Sequence, residues 1–181
     1  MEVACLQCPV PSAPGLYGWY FREVPAGVPV SGCIRHNDLT LLYIGIAPTA
    51  PARIGRTSQR TLRNRIRDHY YGNASGSTLR LTLGCLLRQR LGIELRRTAS
   101  GKRMTFGDGE RALSEWMGQN AFVAWVAHPS PWEAESMLIS ELNPPLNLAH
   151  NRSHPFYPQL SALRREAKKR ARSPDSLAGG S

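Results

Sequence analysis

Arg65 and His69 stand four residues apart in TLRNRIRDHYY (61–71), where Leu62, Ile66 and Tyr70 recur at helical spacing. The two polar side chains therefore project from the same face of one predicted helix, with Thr61 as its N-cap. Arg53, Arg56, Arg60, Arg63 and Arg67 surround them, and Asp68 is the only acid nearby. A strand that ends on a tyrosine and glycine, followed by a helix carrying an aligned arginine and histidine, is suited to holding a phosphate. The plainer alternative is a basic surface helix on an ordinary α/β domain. Just upstream, Leu41-Leu42-Tyr43-Ile44 has strand character and meets Gly45 before a loop of small and turn-forming residues.

A second residue stands out on chemical grounds. Glu135 falls on the stripe of Trp132, Ile139 and Leu142, the otherwise apolar face of a helix predicted to begin at Pro131. A carboxylate on that face is costly unless something positive pairs with it. Two partners are open: one of the many arginines, or a divalent cation held by a lone carboxylate with waters and substrate phosphates. Glu133 and Glu141 fall nearer the polar side.

These residues need elements to hold them. Leu16-Tyr17-Gly18-Trp19-Tyr20-Phe21 reads as a strand, with Leu16, Gly18 and Tyr20 on one face and Tyr17, Trp19 and Phe21 on the other. A Pro- and Gly-rich connection and an Asn37-Asp38 turn return the chain into a second strand, residues 39–45, which pairs antiparallel and brings Tyr17 towards Tyr43. The Arg65 helix stops near Gly72. Ser77 caps a second helix, whose face of Leu79, Leu83, Leu86, Leu87 and Leu91 ends at Gly92. Residues 92–118 read as a polar insertion with an irregular hairpin or loop, helical from about Gly109. Residues 121–127, apolar on both faces, form a third and central strand. The helix from Pro131 ends before Pro144-Pro145.

The chain has 181 residues, 41% of them apolar, which suits one domain with extensions. Its 23 basic residues against 13 acidic give a net charge of +10, which points to a polyanion, nucleic acid above all. The run at 163–172 carries six basic residues and one acid. It reads as a separable basic tail, with Lys168, Lys169 and Arg170 beside the arginines above as nucleic-acid contacts. No run approaches the roughly 18 apolar residues of a membrane span, and the first residues lack the basic start and apolar core of a secretory signal. A cytoplasmic location is expected. Cys5 and Cys8 form one C-x-x-C without a second pair, so free thiols are expected there in preference to zinc.

Taken together, Gly15-Leu16-Tyr17, Tyr43-Ile44-Gly45, Arg65, His69, Glu135 and Asn147, twelve residues beyond Glu135, occur in an order and spacing that resemble a GIY-YIG nuclease domain. GLY replaces GIY in the first motif, the second is intact, and the resemblance spans residues 14–150. It leaves 1–13 as a flexible lead and 151–181 as a basic, partly disordered tail. The resemblance implies an α+β fold, a small three-stranded mixed sheet flanked by helices, and one-step hydrolysis of a DNA phosphodiester with a single Mg²⁺ or Mn²⁺. By the same resemblance Glu135 holds the metal and Arg65 stabilises the charge of the transition state. Tyr17 acts as or orients the general base, Tyr43 and His69 position water and phosphate, and Gly45 and Asn147 support the site. A module that keeps the fold and binds nucleic acid without cutting is the alternative. It would be expected to have lost Arg65 or Glu135, and this chain has both.

Overall fold

Aromatic and branched apolar residues crowd three long strands, and their alternation decides which layer each side chain enters. The computed structural model describes residues 3–4, 10–49, 60–98 and 101–173. A short strand β1 (Val3–Ala4) precedes β2 (Gly15–Phe21). β3 (Arg35–His36) and β4 (Leu39–Ala47) then form a tight hairpin, turning at Asn37, whose φ is 54°. The expected Asn-Asp turn is where the chain reverses.

Helices α1 (Leu62–Tyr71), α2 (Thr78–Leu86) and α3 (Arg88–Leu91) follow, and Thr61 and Ser77 cap the first two as expected. A two-stranded hairpin, β5 (Arg96–Arg97) with β6 (Met104–Thr105), leads into α4 (Gly109–Asn120) and β7 (Ala121–Ala127). α5 (Pro131–Leu142) ends on Asn143 in the left-handed region, and α6 (Tyr157–Arg170) completes the described fold. No helix among the described residues is long and apolar enough to cross a membrane.

The fold is α+β, and its three long strands are those expected. The main sheet runs β1-β7-β2-β4-β3 with every pairing antiparallel, where the resemblance implied a mixed sheet. β2 is the central long strand, not β7. The helices between β4 and β7 carry the chain across the sheet and set β7 on the far side of β2, parallel in direction to β4 but never beside it. Apolar composition overstated the burial of β7: Val126 is 57% exposed.

Alternation along β2 is as expected. Tyr17, Trp19 and Phe21 enter the larger core with Leu62, Ile66 and Tyr70 of α1, while Tyr20 joins Leu41, Ile44 and Ala124 beneath Ile139 of α5. Trp19 pairs with Tyr43 and Tyr17 with Gly45, so the two motif tyrosines are diagonal neighbours on the α1 side.

Two segments differ from the sequence reading. In the polar stretch after residue 92, the hairpin expectation holds, but α4 is a core helix, with Leu113, Trp116 and Met117 buried. Glu110, at its start, forms an ion pair with the fully buried Arg80 at 2.8 Å. Arg80 also donates to the carbonyls of His69 and Tyr70, which caps the C-terminal end of α1. The basic run near the C-terminus is likewise structural. α6 packs on α2 and buries Leu160 and Ala167, and Arg170 is paired with Glu94 at 3.6 Å. Its basic residues hid an apolar stripe spaced three to four residues apart.

Candidate active site

The geometry converges on one hydroxyl. β2 sends Tyr17 towards α1, where the phenol is 3% exposed and lies across Gly45 of β4. A Cβ at Gly45 would come within 2.6 Å of the Tyr17 Cζ, so only glycine leaves room for the ring there. The Tyr17 hydroxyl is 2.8 Å from His69 Nε2 and accepts from Arg65 Nε at 3.3 Å. One turn of α1 separates Arg65 from His69, as their spacing requires.

His69 is fully buried, and its Nδ1 is 2.6 Å from Ser77 Oγ. That oxygen also accepts from the Arg80 backbone N–H at 3.0 Å, as the N-cap of α2. In one arrangement that satisfies these contacts, Tyr17 Oη accepts from Arg65 and gives its own proton to Nε2, and Nδ1–H donates to Ser77. Burial, with the charges of Arg65, Arg80 and Arg60, holds the His69 pKa well below its ordinary value, so the imidazole is neutral. Burial raises Tyr17 and outweighs the lowering by Arg65, so the phenol is protonated in this arrangement.

Tyr43 is half-buried and its hydroxyl lies 3.2 Å from Thr78 Oγ1 on the first turn of α2. Burial raises its pKa too, against the lowering effects of the Thr78 hydrogen bond and of Arg65. Arg65 spends Nε on Tyr17 and Nη1 on the Gly76 carbonyl at 2.8 Å, leaving Nη2 open among the described residues. Asn147 is buried beside β4, donating Nδ2–H to the Ile44 carbonyl and accepting the Ile44 N–H, both at 2.9 Å. It fixes the strand between Tyr43 and Gly45 and does not face the hydroxyl cluster directly.

Glu135 approaches from α5, on the other face of the sheet. Its charge acts on both Tyr17 and Tyr43, yet among the described residues it has no hydrogen bond or ion pair to an arginine. Burial raises its pKa, and His150 offsets part of the rise. A half-buried carboxylate without a partner suits a hard cation. The described residues hold no group of three or more His, Cys, Asp and Glu. A cation on Glu135 would take water and substrate oxygens in its remaining positions.

The wider basic set divides. Arg53 and Arg56 lie outside the described residues. Arg60 pairs with Asp68 at 3.2 Å, and Arg63 donates to the Val10 carbonyl at 2.8 Å. Arg67 and Lys169 are exposed and Lys168 is half-buried. Sequence reasoning missed the supporting role of Ser77 and Thr78: Ser77 was legible as a helix cap, but not as the partner of a histidine.

Comparison with curated proteins and with solved structures returned no match. The family model for the GIY-YIG catalytic domain matches residues 15–166, which takes in both tripeptide motifs, the α1 pair, α5 and most of α6. With that match across most of its length, the chain belongs to the GIY-YIG nuclease family.

Proposed function

We propose that this chain is a divalent-metal-dependent DNA endonuclease that hydrolyses a phosphodiester bond in one step. The observation that carries the reading is the convergence of Arg65 and His69 on the Tyr17 hydroxyl, with an unpaired Glu135 on α5 whose charge reaches Tyr17. Tyr17 holds the attacking water. As the water oxygen bonds to phosphorus, its proton passes to Tyr17 Oη while Oη releases its own to the neutral His69 Nε2. The leaving strand oxygen departs as the bond to phosphorus breaks. Arg65, fixed by Tyr17 and Gly76, turns Nη2 towards the non-bridging oxygens and stabilises the growing negative charge. Tyr43 orients phosphate and water, and Asn147 braces its strand. When bound at Glu135, Mg²⁺ or Mn²⁺ would neutralise the scissile phosphate and the leaving oxygen.

The test is cleavage of labelled duplex, single-stranded, flap and junction DNA, and of the corresponding RNA, with Mg²⁺ and with EDTA. Mg²⁺-dependent cutting of at least one DNA, absent from Glu135→Gln, is expected. Tight binding with no cutting of any substrate would point to the non-cleaving module instead.

A further inference from the structure

α6 carries a charge where its packing calls for none. Its inward stripe is Leu160, Ala167 and Ala171, all at most 4% exposed, and Arg164 falls on that same face, one turn after Leu160. α6 rests on α2, where Thr78 and Cys85, two turns apart, share a helix face. Thr78 holds the Tyr43 hydroxyl. Arg164 therefore faces α2, the helix whose first turn meets Tyr43, and its charge lowers the pKa of both Tyr43 and the Cys85 thiol.

The fully buried Arg80, by contrast, has Glu110 and two backbone carbonyls. Arg164 is half-buried and has no hydrogen bond or ion pair among the described residues, and burial lowers its pKa. A guanidinium offers five donors in a planar fork and is costly to desolvate unpaired. A methionine or leucine would fill the position without that cost. The position is partly open, so an anion from outside the chain can reach it.

We propose that Arg164 is a substrate-binding residue that takes a backbone phosphate of the nucleic acid on the Tyr43 side of the site, next to the phosphate faced by Arg65. The inference deepens the nuclease reading and rests on it for the identity of the ligand. α6 would then contribute directly to the site.

The test places Arg164→Met and Arg164→Lys in the Glu135→Gln background, so that binding is read without cutting. Thermal melting and affinity for a fluorescein-labelled DNA duplex across a salt series are measured, with cleavage KM and kcat from the Glu135 parent. Arg164→Met should melt no lower than its parent, bind more weakly, and reduce the slope of log affinity against log salt by about one, the loss of one phosphate contact. Arg164→Lys should restore the slope but only part of the affinity, because a point charge cannot make the bidentate contact. An unchanged slope and affinity in Arg164→Met overturns the proposal, as does a drop in melting temperature with an unchanged slope. The two readings fail separately. A parent that cuts nothing while Arg164→Met loses one contact would sink the nuclease and keep the phosphate site. A parent that cuts, with Arg164→Met unchanged in slope and KM, would do the reverse.

Discussion

Tyr17 is the residue on which the site turns, because its hydroxyl is the one atom shared by Arg65 and His69. Tyr17→Phe should remove the water-binding atom and leave His69 Nε2 buried without a partner, at about 1–3 kcal/mol of stability. The variant should fold, melt somewhat lower and lose cleavage, as circular dichroism and a single-turnover assay would reveal. His69 adds a pH signature. Its folded pKa lies below the ordinary 6.5, so protons bind the unfolded chain first as the pH falls past that value. Stability should therefore decline below about pH 6.5, and His69→Gln should flatten that part of a urea-midpoint series; a parent profile that stays level there would contradict a buried neutral imidazole. Glu135 has the opposite sign. Burial raises its pKa, so its ionised form opposes folding above that raised value. Glu135→Gln should accordingly stabilise the protein at neutral pH while abolishing cleavage, and the gain should vanish in acid. At this scale the sequence was informative where spacing alone decides direction, as for Arg65 with His69. It was silent on Ser77 with His69 and Thr78 with Tyr43, which meet only once α2 is packed.

At the scale of elements, the caps, the glycine stops and the β2 alternation were legible because they depend on neighbours a few residues away. Two elements were misread because charge masked their inward faces. Arg80 and Glu110, thirty residues apart in sequence, form the buried pair that ties α1, α2 and α4 together. Glu110→Ala should cost about 3–5 kcal/mol, since it strands a buried guanidinium. Urea unfolding reads this directly, and a loss below about 1 kcal/mol would mean water reaches the pair. α6 was read as a detachable tail, but Leu160 is fully buried in it. Truncation after Pro158 should therefore destabilise the domain rather than merely weaken binding, with Leu160 alone worth about 1.5–3 kcal/mol. A truncated chain that melts at the parental temperature would show that α6 does not belong to the core.

At the scale of the whole molecule, an antiparallel sheet carries α1 on one face and α5 on the other, and the hydroxyl cluster forms where α1 and α2 meet β2 and β4. Net charge of +10 foretold a polyanion but not which arginines would meet it, because several are used internally. Arg60, Arg63 and Arg170 have partners within the chain, and Arg65 is already oriented by Tyr17 and Gly76. Such preorganisation separates a charge that lowers a barrier from one that only gathers substrate. The most direct measurement is the single-turnover cleavage rate at saturating enzyme, with Mg²⁺, for the parent, Arg65→Ala, Arg53→Ala and Arg56→Ala, each confirmed folded by circular dichroism. Arg65→Ala should lower the saturated rate by at least roughly a hundredfold, while the other two should only raise the enzyme concentration required. A parental saturated rate in Arg65→Ala, with the chemical step lost in Arg53→Ala or Arg56→Ala, would contradict the account.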